Sequence, residues 1–159
     1  MYSIRPIKGE EIHLLRDFLY EAIFQRDEKK LLPRSVVEQP ELKVFIENFG
    51  QKDDACLVAV DGDKIIGAVW TRILSGEIKG FGNVDEYTPE FAISLYKEYR
   101  GRGVGTRLMR AMLALLKEKG YAQAFLAVQK DNYAVKMYQK TGFSIVGENK
   151  EEYIMQCRL

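Results

Sequence analysis

The stretch Tyr99-Arg-Gly-Arg-Gly-Val-Gly-Thr106 decides the reading of this chain. It lies between a strand candidate at residues 91–96, Phe-Ala-Ile-Ser-Leu-Tyr, and a helical pattern at residues 103–120. A glycine-rich turn from strand to helix exposes backbone N–H groups at the positive end of the helix dipole. Glycines let that backbone approach an anion closely, and Arg100, Arg102 and Arg107 add full charges suited to phosphate oxygens. The natural guest of such a turn is a pyrophosphate. Two better-known phosphate loops do not fit. A nucleotide P-loop needs Gly-Lys-Ser/Thr, whereas Gly105 is followed by Thr106 and Arg107. A dinucleotide fingerprint read from Gly101 or Gly103 puts Thr106 or Leu108 where its third glycine belongs.

Outward from the loop, Val104, Leu108, Ala111, Met112, Leu115 and Leu116 recur on one helical face, opposite Arg107, Arg110, Lys117 and Glu118. Gly120 is the expected stop. Residues 122–128 read as a buried strand. Asp131-Asn132 can cap a helix reaching Thr141, and Gly142 ends it. Residues 143–146 and 153–158 are the last two strands. Upstream, residues 56–60 and 64–70 form a hairpin around Asp61-Gly62-Asp63. The segment 73–89, carrying Gly76, Gly80 and Gly82, reads as a loop or irregular strand. Tyr2 and Ile4 suggest a first strand broken at Pro6. Ile12, Leu15, Leu19, Ala22 and Ile23 predict an amphipathic helix over residues 9–24. Leu42, Phe45, Ile46 and Phe49 predict a second helix that stops at Gly50. Helices separate some strands and hairpins join others, so a mixed sheet covered on both faces is expected.

The 159 residues fit a single domain, 1–159, with no repeat, linker or low-complexity segment. With 24 basic against 23 acidic residues, the chain lacks the basic excess of a nucleic-acid or membrane-surface binder. Cys56 and Cys157 each sit in an apolar stretch and read as core residues, not as a disulfide or metal site. The lone His13 reads as a helix-surface or core residue. The amino terminus has no signal-peptide pattern and no apolar run approaches a membrane span. The expectation is therefore a cytoplasmic protein that binds neither nucleic acid nor membrane and holds no metal.

Arg100-x-x-Gly103-x-Gly105 resembles the coenzyme A pyrophosphate motif of the GNAT superfamily of N-acetyltransferases. The run from Asn132 through Tyr138 to Gly142-Phe143 resembles the second half of that family's cofactor site. The order of elements is similar over essentially the whole chain. The resemblance implies a single α/β domain of the GNAT acyl-CoA N-acyltransferase type. Its sheet would be mixed, mostly antiparallel and splayed at the centre, with helices on both faces. It also implies acetyl-coenzyme A as cosubstrate. Main-chain amides of Arg100, Gly101, Arg102, Gly103, Val104, Gly105 and Thr106 would hold the pyrophosphate. Ile93, Ser94 and Leu95, running into Tyr96, would line the pantetheine arm opposite residues 126–128. Asn132 would bond the pantetheine or position the next helix, and Tyr138 would sit beside the thioester sulfur. Lys97 departs from the proline usual at its position.

The chemistry asked of these residues is plain. An alkylammonium, pKa ~10.4, must lose a proton to attack, and a departing thiolate, conjugate acid near ~8.5, gains from a proton donor. Tyr138 can be that general acid, although Ala134, Met137 and Tyr138 share a helical face and a core role also fits. For Asn132 a simple helix cap stands beside the cofactor role. The Leu95 N–H is the candidate donor to the forming oxyanion, and Glu90 the candidate base, directly or through water. The acidic stretch Asp85, Glu86 and Glu90 predicts a cationic acceptor, a small-molecule or peptide amine. Trp70 reads as core. A longer acyl chain would need a pocket widened near Leu126 and Met137. The alternative function is a non-catalytic acyl-coenzyme A sensor or regulatory module, and a homodimer is compatible with either.

Overall fold

Short-range pattern and sheet pairing agree along most of the chain in a computed structural model, which describes residues 1–76, 79–81 and 85–159. Gly82, one of the glycines of the loop predicted between residues 73 and 89, lies outside the described residues. The strands are β1 (Tyr2–Pro6), β2 (Ala55–Asp61), β3 (Lys64–Arg72), β4 (Glu90–Leu95), β5 (Gln123–Gln129), β6 (Ser144–Glu148) and β7 (Glu152–Arg158). The α-helices are α1 (Leu15–Ala22), α2 (Pro40–Lys43), α3 (Val104–Glu118) and α4 (Ala134–Lys140). The strands form one sheet in the order β1-β2-β3-β4-β5-β7-β6. Each neighbouring pair is antiparallel except β4 and β5, which run parallel.

That parallel pair makes the fold's one opening. Among the described residues β4 and β5 meet only where Glu90 faces Phe125, the Phe125 N–H donating to the Pro89 carbonyl at 3.0 Å. Beyond it the strands diverge, so the sheet is splayed at its centre. Strand alternation settles which groups face the gap. The Tyr96 N–H donates to Ile66 on β3, so the main-chain groups of Ser94 also point toward β3, and those of Ile93 and Leu95 point into the wedge. On the far side, the Leu159 N–H donates to Ala122 in the β7 register. Ala127 and Gln129 therefore turn their main chains toward the same wedge.

Helix α3 buries Leu108, Met109, Met112 and Leu116 completely against one face of the sheet. Truncating any of these to alanine removes about 2–5 kcal/mol. The other face packs on α1 through Leu15, Phe18 and Leu19, and holds Trp70, whose Nε1–H donates to the Phe45 carbonyl at 3.0 Å. Cys56 and Cys157 are free and buried, one in each core, and desolvation pushes the Cys56 thiol up to about 12. His13 is exposed.

Two helices are shorter than their periodicity suggests. Residues 9–24 divide into a 3-10 turn, Gly9–Leu14, and α1. Glu11 fixes the start of the 3-10 turn by accepting from the Lys8 N–H and pairing with both terminal nitrogens of Arg5 at 2.8 Å. The stripe from Leu42 to Phe49 is α-helical only through Lys43 and continues as turns, with Asn48 at φ 54 before Gly50. The apolar spacing is kept in both segments. The backbone adapts to direct those side chains inward, and tertiary packing outweighs helical propensity.

Candidate active site

The wedge opens toward the loop that follows β4. Gly101 and Gly103 there have φ 75 and 82, left-handed values natural to glycine, and a Cβ at either would meet nothing within 4 Å. The turn thus bares its backbone toward open space. Gly103 is the residue before α3. The first intrahelical bond shown there runs from the Arg107 N–H to the Gly103 carbonyl, so the amides of residues 104–106 point out of the helix start. Together they form an anion cradle with the helix dipole behind it.

A cavity of about 850 Å³ runs from this cradle along the wedge. Its walls include Ile93, Ser94, Leu95, Arg100, Gly101, Gly103, Gly105, Thr106, Asn132 and Tyr138. The arginines divide their work. Arg100 donates through Nε to the Leu95 carbonyl at 3.1 Å and pairs with Glu21 at 3.2 Å, which fixes the loop against β4 and α1. Arg102 lies over the Tyr99 ring and Arg107 over the Tyr2 ring, and neither lines the cavity. Val104 is buried in the core, so only its main chain belongs to the cradle. Ser94 directs its hydroxyl to the Phe18 carbonyl at 2.6 Å, away from any ligand. The Asn132 Oδ1 accepts from the Ala134 N–H at 2.9 Å, so the capping role is present, and the residue lines the cavity.

Tyr138 is 9% exposed, on the inner face of α4 against Phe143, with ring centroids 6.2 Å apart. Its hydroxyl has no hydrogen-bond partner among the described residues. Burial pushes the phenol well above its ordinary range, so it is protonated at every working pH. The residue thus packs in the core and also lines the cavity.

A second cavity, about 380 Å³, adjoins the first on the α1 side and shares Ile93, Phe24, Asn132 and Tyr138 with it. Glu90 lines it and is only 3% exposed. The rest of the acidic stretch does other work. Asp85 accepts from the Tyr87 N–H at 2.8 Å and the Thr88 hydroxyl at 2.9 Å, bonds that hold its carboxyl below the usual range. Asp85 and Glu86 line neither cavity, which removes them from the predicted acceptor field. Glu151 and Glu152 line the second cavity instead, brought over by the pairing of Gln129 with Glu152. Sequence reasoning also missed Phe24, Phe45 and Phe81, which wall this cavity. Phe45 lay in a recognised apolar stripe, but its destination depends on tertiary structure. No cluster of metal-ligating side chains occurs among the described residues, and no helix among them is long and apolar enough to cross a membrane.

A sequence model of the acetyltransferase (GNAT) family matches residues 18–143, a span that runs from within α1 through the wedge and the glycine loop past the end of α4. The chain belongs to the GNAT acetyltransferase family. It is 30% identical over 125 residues to the N-alpha-acetyltransferase 30 of Schizosaccharomyces pombe, covering 78% of this chain and 80% of that protein. It is 37% identical over 84 residues to a mycothiol acetyltransferase of Corynebacterium aurimucosum, covering 52% of this chain but only 26% of that protein. The PaiA N-acetyltransferase of Thermoplasma acidophilum, solved in complex with coenzyme A, superposes with a TM-score of 0.72 at 19% identity over 100% of this chain and 99% of that one. This last likeness is one of fold. The GNAT fold therefore accounts for the splayed sheet.

Proposed function

We propose that residues 1–159 form one acetyltransferase domain that transfers the acetyl group of acetyl-coenzyme A directly to a primary amine. The observation that carries the proposal is the half-open wedge, whose main-chain groups at Ile93 and Leu95 lead from the glycine cradle toward Tyr138. Four strand steps from Phe91 to Leu95 give a wall of ~13 Å, long enough for an extended arm bonded like an added strand. Acetyl-coenzyme A supplies the acyl group as a thioester. Residues 100–106 offer amides to its pyrophosphate, and Arg100 keeps that loop in register by its hold on Leu95 and Glu21. Leu95 and Ile93 offer N–H groups to the arm, the Leu95 N–H serving as the oxyanion donor.

Glu90, at the closed end of the wedge, takes a proton from the incoming ammonium, directly or through water. Tyr138 delivers its phenolic proton to the departing sulfur. Neither cysteine takes part, because both thiols are buried and held in the neutral form. Holding amine and thioester together supplies much of the rate. The yeast relative's name supports an amine acceptor, and no single acceptor follows from the comparisons.

The test is calorimetry with coenzyme A, followed by thiol release from acetyl-coenzyme A with a panel of amines. Micromolar-range binding and amine-dependent thiol release are expected. Binding without release for any amine would overturn the catalytic assignment in favour of a sensor.

A further inference from the structure

The cavity beside Glu90 has a composition that selects its occupant. Its outer wall is apolar and aromatic: Leu19, Phe24, Leu42, Phe45 and Phe81. Phe45 and Phe81 stack at 6.0 Å between centroids with 23° between their planes, and Phe81 is 46% exposed, so one ring is anchored and the other stands at the entrance. Three carboxylates, Glu90, Glu151 and Glu152, also line the cavity, and no lysine, arginine or histidine does among the described residues. The neighbouring cations are already neutralised, Arg26 by Asp131 and Lys130 by Glu148 at 2.8 Å. Neutral polar groups are few. Gln129 receives the Arg26 guanidinium at 3.0 Å and Asn132 caps α4.

We propose that the acceptor is a primary amine carried on an apolar, ring-bearing body without a carboxylate, an arylalkylamine in its simplest form. The inference rests on the acetyl-transfer reading and names the acceptor class of the same site. The carboxylates attract an ammonium and repel an anion, and the stacked phenylalanines receive a ring in offset or edge-on contact. At about 380 Å³ the cavity lies near the low end of the ~300–1,000 Å³ usual for ligand sites, a size for one or two rings. A polyamine lacks the ring that the phenylalanine pair would receive in offset or edge-on contact. Burial and the Glu151 charge raise the affinity of Glu152 for protons, and its hydrogen bond with Asn149 partly opposes this. The rim charge therefore weakens as pH falls.

The experiment compares 2-phenylethylamine, phenylalanine, spermidine and a hexapeptide with a free amino terminus, each with acetyl-coenzyme A and read as free thiol. Binding of 2-phenylethylamine to the coenzyme A complex is measured separately by calorimetry. The expected kcat/KM for 2-phenylethylamine exceeds that for phenylalanine by at least about tenfold and also exceeds those for spermidine and the peptide. Phe81→Ala, at a half-exposed ring, raises the KM for 2-phenylethylamine about tenfold with coenzyme A affinity and thermal midpoint unchanged. Glu152→Gln narrows the discrimination against phenylalanine. Preference for phenylalanine, spermidine or the peptide overturns the acceptor assignment and leaves acetyl transfer standing. So does coenzyme A binding with no 2-phenylethylamine bound while another amine releases thiol. Absence of coenzyme A binding overturns both.

Discussion

In the proposed mechanism Tyr138 serves packing and chemistry together. Its ring packs in the core beside Phe143 while the residue lines both cavities, and burial keeps the proton on. Tyr138→Phe keeps the ring and removes only the acid. The maximal rate should fall by ~10²–10³-fold, with coenzyme A affinity in calorimetry unchanged. Because the phenol stays protonated, the wild-type alkaline limb should not follow a tyrosine titration. Glu11 illustrates a purely structural charge. The paired Arg5 guanidinium, aided by the Lys8 N–H, pulls its carboxyl down to about 2. A depressed carboxylate stabilises the fold above its unfolded value, near ~4.3, and that contribution fades as pH falls through the folded value. Glu11→Gln should lower the thermal midpoint by about 3 °C at pH 7, the equivalent of ~1 kcal/mol for a chain of this size. The difference between variant and wild type should shrink steadily as scans move from pH 5 toward pH 2.

At the scale of elements, the wedge makes a prediction with an internal control. Ser94 and Tyr96 direct their N–H groups to β3, whereas Ile93 and Leu95 direct theirs into the gap. In hydrogen exchange without cofactor, Ile93 and Leu95 should exchange fast and their two alternating neighbours slowly. Coenzyme A should protect the first pair and leave the second nearly unchanged. Equal protection across residues 93–96 would mean that the arm does not add as a strand. The same elements explain what the sequence could and could not reveal. Helix α3, the hairpin of β2 and β3 and the glycine loop are encoded within a few residues of themselves, by 3.6-residue spacing, a tight-turn triplet and a strand-to-helix turn. The central splay was accessible only through resemblance to a family, because no local pattern says that β4 and β5 meet at one residue pair. The division of residues 9–24 escaped periodicity because a 3-10 turn keeps nearly the same apolar spacing as an α-helix. Asp85 and Glu86 adjoin Glu90 in sequence but do not line the cavity with it. The carboxylates that join Glu90 come from some sixty residues away through the β5–β7 register.

For the whole molecule, the two halves of the sheet depend on a few links. Strands β1 to β4 form one half and β5, β7 and β6 the other, joined by the Glu90–Phe125 bridge, by α3 beneath, and by the Arg26 guanidinium reaching Asp131 and Gln129 above. A ligand lying in the wedge supplies the main-chain contacts that the strands do not make to each other, so it should act as a thermodynamic clasp. Binding to the folded state alone stabilises by RT ln(1 + [L]/Kd), ~2.7 kcal/mol at a hundredfold excess over Kd. For a chain of this size that amounts to a rise of about 5–10 °C in the thermal midpoint. Coenzyme A at that excess should give the full shift. At the same molar concentration the pantetheine arm alone and inorganic pyrophosphate should each give a much smaller one, because each makes only part of the contacts and so binds more weakly. The Arg26→Ala variant separates clasp from simple mass action. It should lower the midpoint of the free protein, while the coenzyme A complex, whose halves are joined by the ligand, loses less. A loss of equal size in both states would show that Arg26 and the cofactor hold the halves independently.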